Sequence, residues 1–170
     1  NKKIKISPFG KILCGKFRPG HFEAVVDVID RFIKIIKPRF IYFGEKDMQQ
    51  LKIIEEFIKR KRINVKVVKC KTVRDKNGLA LSSRNFLLSK KQKKVGSQVY
   101  KLIKNEKKNL IKNSNYYKVL KKRILNLGIK RIDYIEVIDI NKIMKPFIQK
   151  KKFKIFIAYY LDKTRLIDNI

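Results

Sequence analysis

A short loop bearing glycine, lysine and carboxylate side chains connects an apolar segment to an amphipathic one. The apolar run at residues 40–43 is typical of a buried strand, it ends at Gly44, and helical spacing begins near Met48. In open α/β sheets, ligands bind beyond the carboxyl ends of strands, where a helix N-terminus offers unpaired N–H groups. Gly44 would let the backbone approach a ligand, Lys46 would contact phosphate oxygens, and Asp47 would accept hydrogen bonds from ribose hydroxyls. The loop therefore predicts a nucleotide site, with an ordinary solvated turn as the alternative.

A second polar segment, residues 72–85, carries two hydroxyls and a guanidinium within three residues. Ser82 and Ser83 can donate hydrogen bonds to phosphate oxygens, and Arg84 can bind such oxygens in a bidentate manner. This combination suits a polyphosphate, although Ser-Ser-Arg-Asn is also a common loop composition.

Three segments give the chain a family resemblance. Residues 43–50 read FGEKDMQQ, residues 72–85 read TVRDKNGLALSSRN and residues 164–169 read TRLIDN. In these segments, their order and their spacing, the chain resembles the pantoate–β-alanine ligase family of the nucleotidyltransferase superfamily, whose motifs look like FGEKDxQQ, TVRxxDGLAxSSRN and TRLIDN. The resemblance covers essentially all 170 residues, and Asn77 stands where the family pattern has aspartate. It favours a ligand-binding loop over a surface turn at residues 44–47.

The resemblance implies an ATP-dependent condensation of pantoate with β-alanine to give pantothenate. In that reaction pantoate attacks the α-phosphate of ATP to form pantoyl adenylate and pyrophosphate, and the amine of β-alanine then displaces AMP. No protein nucleophile is required, so catalysis rests on positioning and on neutralising negative charge. Mg²⁺ is expected with ATP, held mostly by phosphates and water, because no carboxylate cluster is evident in the sequence and no protein metal ligand is predicted.

The same resemblance implies a role for each residue of the two loops. Lys46 would stabilise the phosphates, Gly44 and Asp47 would hold the ribose, and Glu45 would complete this nucleotide-binding loop. Val73 would meet adenine through its backbone. The segment that would close over the β- and γ-phosphates looks like the counterpart of the mobile KMSKS-type loop of class I synthetases, and it comprises Leu81, Ser82, Ser83 and Arg84. The predicted catalytic residues are Lys46, Ser82 and Arg84.

The pantoate pocket is predicted on two helices. Gln50 would point its amide at the pantoate hydroxyl and carboxylate, with Gln49 as the weaker candidate. Val25, Val28 and Ile29 would form an apolar pocket wall, with packing in the protein core as the alternative. His21 is the single histidine, and we expect it to be a structural hydrogen-bonding residue, because acid–base catalysis needs a partner within reach.

The start of the chain departs from the family pattern. The family opens with a Met-Gly-x-x-His-x-Gly-His-like signature, which is absent from the segment that begins at Asn1. We therefore expect the chain to be the C-terminal three-fifths of a longer protein and to need the missing segment for activity, since its histidines stabilise charge on the transferring phosphate in the family. A non-catalytic remnant is one alternative.

A formal net charge of +31 raises a second alternative, a basic nucleic-acid-binding module. Such a module would bind polyanions with a steep salt dependence and without ATP. The lysines, however, are spread along almost every element instead of forming one stripe. Lys, Ile and Asn are enriched together, as AT-rich codons would produce. We therefore expect no specific nucleic-acid partner.

The pattern of elements predicts an α/β fold. Residues 1–88 should form the C-terminal part of a Rossmann-like nucleotidyltransferase core with a parallel βαβ unit, and residues 89–170 a small α+β lid domain. We expect an edge strand within residues 1–13, a largely buried helix over residues 22–36 and a strand over residues 65–68. In the second domain we expect a helix with a capping box at Ser89 and Gln92, a Lys-rich connector at residues 104–115, and antiparallel strands at residues 132–137 and 153–160.

The cysteines and the hydropathy of the sequence indicate the cellular compartment in which we expect the protein. Cys14 and Cys70 lack metal-ligand spacing, so we expect inert thiols and a reducing, cytoplasmic setting. No apolar stretch approaches the roughly 20 residues that cross a bilayer, so no membrane partner is expected. The family resemblance implies a homodimer formed by the nucleotide-binding core.

Overall fold

The computed structural model describes residues 5–113, 115–140 and 153–170. It forms two compact units, Asn1–Lys71 and Thr72–Ile170. Residues 72–88, which the sequence analysis assigns to the first domain, thus belong to the second unit. The units divide earlier in the chain than the predicted domain boundary at 88/89.

The first unit contains a parallel βαβ arrangement. Strands β1 (Phe40–Gly44) and β2 (Lys66–Cys70) pair in parallel, with Phe40 opposite Lys66 and Gly44 opposite Cys70. Helix α3 (Met48–Lys61) connects them and buries one apolar stripe, and helix α2 (His21–Ile36) packs against α3. A short helix α1 (Cys14–Phe17) and a 3-10 helix (Pro8–Lys11) precede α2. The predicted α/β class and the parallel pairing are confirmed.

Three local predictions for this unit are wrong. Residues 5–13 contain the 3-10 helix and no strand, because Pro8 has a fixed φ that suits the first turn of a helix; residues 1–4 of that prediction lie outside the described part. Strand β1 is not buried, since its side chains alternate between exposed and half-buried positions. Helix α2 buries only Phe22, Val26 and Ile33. Its other apolar side chains are exposed or half-buried, because α3 packs on one stripe of its surface.

The second unit packs two helices on an antiparallel sheet. Strands β3 (Arg131–Asp139), β4 (Phe153–Leu161) and β5 (Thr164–Asn169) form the sheet in that order. Both pairings are antiparallel, as predicted for the first two strands. Helices α4 (Lys90–Lys112) and α5 (Tyr116–Leu125) cover it. The core comprises buried residues from every one of these elements, among them Val99, Ile103, Leu120, Ile124, Ile135, Ile155, Ile157 and Leu166.

Helix α4 confirms one prediction and contradicts another. Ser89 and Gln92 form the predicted capping box, each side chain accepting a hydrogen bond from the backbone N–H of the other. The predicted connector is wrong, because the helix continues to Lys112. Ile103 and Leu110, seven residues apart, keep the helical spacing and are both buried. Among the described residues, no helix combines the length and the apolar character required to cross a bilayer.

Candidate functional site

The loop after β1 is a single 3-10 turn, Glu45–Asp47, that leads into α3. Gly44 precedes it with φ −69° and ψ 132°, an extended conformation open to any residue. A Cβ built on Gly44 would meet no atom within 4 Å. Neither backbone geometry nor packing therefore requires glycine at this position. The open space above Gly44 is what a closely approaching ligand would need.

The turn that follows Gly44 carries three charged side chains. The Nζ atom of Lys46 lies 3.6 Å from the nearer carboxylate oxygen of Asp47, and the Lys46 side chain is only 18% exposed. Asp47 is exposed and Glu45 is half-buried. The partial burial of Lys46 limits its conformational freedom, so its ammonium group is held near the turn at a low entropic cost for any anion that binds there.

The two glutamines that follow differ in their environment. Gln49 is buried, its Oε1 accepts a hydrogen bond from the Cys14 backbone N–H at 3.0 Å, and its Nε2 donates to the carbonyls of Phe9 and Ile12, each at 2.7 Å. These bonds fix residues 9–14 against α3. Gln50 is half-buried beside it. Since Gln49 is used in the scaffold, Gln50 remains the better candidate for substrate contact.

The three residues predicted to form a pocket wall lie on helix α2. Val28 is exposed, and Val25 and Ile29 are half-buried, so these residues are not part of the closed core. His21 begins the helix, and its Nε2 lies 3.0 Å from a guanidinium nitrogen of Arg18. Guanidinium only donates, so the imidazole nitrogen is the acceptor in this contact. The contact gives His21 the structural hydrogen bond expected of it.

Residues 73–81 of the second unit form a tight hairpin. Arg74 bridges Ala80, and the Leu81 backbone N–H donates to the Val73 carbonyl at 2.9 Å. Gly78 occupies the turn with φ +99°, a conformation that side chains disfavour. Val73 is exposed, and its carbonyl keeps a second lone pair. Its predicted contact with adenine stays a prediction.

The predicted polyphosphate segment follows the hairpin directly. Ser82 Oγ accepts a hydrogen bond from the Arg84 backbone N–H at 3.2 Å and thereby caps a 3-10 helix, Ser83–Leu87. Leu81, Ser83 and Arg84 are exposed, and Ser82 is half-buried. A guanidinium nitrogen of Arg84 donates to the Arg165 carbonyl at 3.4 Å, which leaves other N–H groups of the fork available. The segment can therefore present two hydroxyls and a guanidinium to an anion.

An ion pair that the sequence analysis did not identify joins two of the motif segments. The guanidinium of Arg74 donates to both carboxylate oxygens of Asp168, at 2.6 and 2.8 Å. It also lies 4.0 Å from the centroid of the Tyr100 ring. Burial disfavours the charge on Arg74, but the hydrogen bond and the charge of Asp168 outweigh it and raise the Arg74 pKa. The only signal in the sequence was that both residues lie within TVR and TRLIDN.

The described residues offer no protein cage for a metal ion. No group of three His, Cys, Asp or Glu side chains comes together among them in a way that could hold a cation.

Solved structures of pantothenate synthetases share this fold. The chain superposes on the enzyme from Thermus thermophilus with a TM-score of 0.85 at 28% identity, covering 99% of this chain and 62% of that one. A pantoate-beta-alanine ligase from Francisella tularensis, complexed with beta-gamma ATP and beta-alanine, has a TM-score of 0.74 at 31% identity and is covered over 58% of its length.

Sequence comparison gives the same assignment. Pantothenate synthetases from Sulfurihydrogenibium sp. and Azobacteroides pseudotrichonymphae are 38% and 39% identical to the chain over 98% and 99% of its length. The chain spans 61% and 62% of these two curated relatives, respectively. A sequence model of the family Pantoate-beta-alanine ligase matches residues 2–170. The chain belongs to the pantoate–beta-alanine ligase family.

Proposed function

We propose that this chain carries out part or all of an ATP-dependent condensation of pantoate with β-alanine, through a pantoyl-adenylate intermediate. The family match over residues 2–170 carries the proposal, because it includes both candidate loops. The Francisella relative, complexed with beta-gamma ATP and beta-alanine, supports two of the three substrates. The competing nucleic-acid-binding role rests on net charge alone and is not favoured.

In the first unit we assign the loop after β1 to the nucleotide. Lys46 neutralises phosphate charge, while Gly44 and Asp47, next to Glu45, bind the ribose. The open space at Gly44 and the restricted Lys46 side chain support these roles. For pantoate we assign the Gln50 amide, together with an apolar wall that consists of Val25, Val28 and Ile29.

In the second unit we assign the segment after the hairpin to the polyphosphate. Ser82 and Ser83 donate hydrogen bonds to phosphate oxygens, Arg84 neutralises their charge, and Leu81 shields them from water. The exposure of Leu81, Ser83 and Arg84 supports these roles. The Val73 backbone binds the adenine edge.

Mg²⁺ enters as part of the ATP substrate. The ion would be held mostly by phosphate oxygens and water, since the sequence analysis predicts no protein ligand for it. We place the protein in the cytoplasm, where ATP is supplied, and propose that it acts as a homodimer formed by the nucleotide-binding core. Sedimentation velocity of the chain tests the dimer, and a monomer at micromolar concentration contradicts it.

The test of function is release of pyrophosphate from ATP that depends on D-pantoate. We would measure it for the 170-residue chain and for a version extended by the N-terminal segment of the Sulfurihydrogenibium relative. Release by either protein, followed by AMP formation when β-alanine is added, supports the ligase. Release only by the extended version assigns an essential part of the site to the added segment. No pantoate-dependent release from either protein contradicts the proposal.

A further inference from the structure

We infer that the Arg74–Asp168 ion pair is a positioning device for the polyphosphate-binding segment, residues 81–84. This inference rests on the proposed function of that segment and extends it to two residues that would not touch the substrate. The hairpin at residues 73–81 directly precedes Ser82 and Arg84 in the chain. Its position therefore sets where the backbone of these two residues begins.

The shape of the hairpin rests on its own backbone and on Asp75. The Asp75 carboxylate accepts hydrogen bonds from the backbone N–H groups of Asn77 and Leu79, at 2.8 and 3.0 Å. Asp75 and Leu79 also pair through a backbone hydrogen bond of 2.9 Å. These local bonds determine the shape of the hairpin. They do not determine where the hairpin lies relative to the sheet of the second unit.

Two contacts supply that attachment: Leu79 is buried in the core of the second unit, and Arg74 adds a polar connection. Its guanidinium binds both carboxylate oxygens of Asp168 on β5, donates to the Gly78 carbonyl at 3.0 Å, and stacks on Tyr100 of α4. A planar bidentate pair fixes orientation as well as distance. One side chain thus connects the hairpin turn, a helix and the final strand.

The turn of the hairpin packs closely against the Tyr100 ring. A Cβ added to Gly78 would lie 2.4 Å from the nearest Tyr100 ring atom, so hairpin backbone and aromatic ring are in close contact. Arg74 and Asp168 side chains are only 17% and 10% exposed, which shields the pair from water and salt. Breaking one partner leaves a shielded charge without its counter-ion, and this is costly.

The same strand also contacts the polyphosphate-binding segment itself. The Arg165 carbonyl on β5 accepts the hydrogen bond from Arg84, and the side-chain amide of Asn85 donates to the Ala80 carbonyl at 3.1 Å. The segment therefore begins next to Ala80, which pairs with Arg74, and it contacts β5, the strand that carries Asp168. When the ion pair is lost, we expect the hairpin and the segment to open together.

The test is amide hydrogen exchange of residues 79–87 in the chain without nucleotide, comparing wild type with Asp168→Asn. The matched control is Glu106→Gln, which breaks another ion pair of the second unit, Arg123–Glu106, where the carboxylate is similarly shielded at 14% exposure. We expect Asp168→Asn to accelerate exchange in residues 79–87 by about tenfold or more, and Glu106→Gln to leave it unchanged. Equal exchange rates in wild type and Asp168→Asn would overturn the inference.

Exchange of β4 amides in the same experiment reports whether the unit is folded. If Asp168→Asn unfolds it, Arg74→Lys replaces that variant, since lysine keeps the charge but loses the bidentate fork and the stacked plane. We expect it to accelerate exchange in residues 79–87 with β4 still protected. Unchanged exchange in a folded Arg74→Lys variant overturns the inference equally.

ATP titration separates this inference from the proposed function. If wild type binds ATP, we expect Asp168→Asn to raise the Kd by about tenfold while Glu106→Gln does not change it. If wild type binds no ATP, the proposed role of residues 81–84 fails, whereas the exchange result still decides whether the ion pair holds them. An unchanged Kd in a folded Asp168→Asn variant contradicts the positioning role.

Discussion

The two compact units bury their apolar side chains to different extents. In the second unit, α4 and α5 cover one face of the antiparallel sheet, and the buried side chains form one continuous cluster. In the first unit, α2 and β1 also carry apolar patterns, yet several of their large side chains are exposed. These are Val28, Phe32, Ile35, Ile36, Phe40 and Tyr42.

The contrast separates two uses of apolar residues. In the second unit they provide the free energy of folding, because each buried methylene group leaves water. In the first unit the exposed side chains contribute little to folding, so their presence favours a role in contacts with other molecules, such as the pantoate wall proposed for Val28 or a protein partner. The two candidate loops also differ in how they are held. The first is a local turn, whereas the hairpin before the second is attached through Arg74 to a strand far along the chain.

Truncating one isoleucine in each unit tests this contrast most directly. Ile157 on β4 is 0% exposed, and Ile35 on α2 is 78% exposed. We expect Ile157→Ala to lower the free energy of unfolding by about 2–5 kcal/mol, because it leaves a cavity. We expect Ile35→Ala to change it by less than about 0.5 kcal/mol.

Urea denaturation, with amide exchange of β4 and α2 to follow each unit separately, measures both effects. A cost for Ile35→Ala close to that of Ile157→Ala would show that the exposed stripe of α2 is covered in solution. The comparison between the units would then be wrong.

A lysine pair in the first unit separates catalysis from stability. Lys46 and Lys52 are 18% and 19% exposed, and each lies within 4 Å of a carboxylate. In whichever version of the protein releases pyrophosphate, we expect Lys46→Ala to lower turnover by on the order of a hundredfold or more, the usual effect of losing one charge-stabilising group. Lys52→Ala, within α3 and outside the candidate loop, should stay near wild-type turnover. Near-normal turnover in Lys46→Ala would remove the role we assign to it.

A glycine pair makes the same comparison on the backbone. Gly78 in the second unit has φ +99° and lies against Tyr100, so we expect Gly78→Ala to destabilise that unit by about 1–3 kcal/mol. Gly44 in the first unit has ordinary dihedral angles and open space, so Gly44→Ala should be close to neutral for stability while weakening ATP binding. Thermal denaturation and ATP titration of both variants measure this. Unchanged ATP affinity in Gly44→Ala would mean that the open space is not used by the nucleotide.

The smallest expected effect concerns pH. Hydrogen bonds from Tyr116, and then from Asn109 and Arg123, lower the Glu106 pKa below its ordinary value of 4.5. A carboxylate whose folded-state pKa is lowered stabilises the fold above the unfolded pKa and loses this contribution as pH falls. We expect Glu106→Gln to lower the Tm of the second unit by about 2 to 4 °C at pH 7. The difference should shrink as pH falls below 4.5, and a constant difference down to pH 3 would contradict this account.

Most secondary structure was predictable because its signals are local. The apolar periods of α3, α4 and β4 and the capping box at Ser89 reside within a few turns of chain. The candidate site residues stay predictions, and they rest on a different signal, namely that both loops lie within recognisable motif segments. The role of Gln49 was not predictable, because a glutamine on an amphipathic helix looks the same whether it faces solvent or, as here, binds the backbone of residues 9–14.

By itself, the sequence determined the order and type of most elements, the α/β class and the family, since these depend on residue spacing along the chain. Only the tertiary structure decided which apolar faces are covered, that residues 72–88 belong to the second unit, and that Arg74 binds Asp168 from 94 residues away. The physical reason is the same in each case. A periodic pattern records which side chains are able to pack or pair, whereas their actual partners depend on where distant segments of the chain are placed.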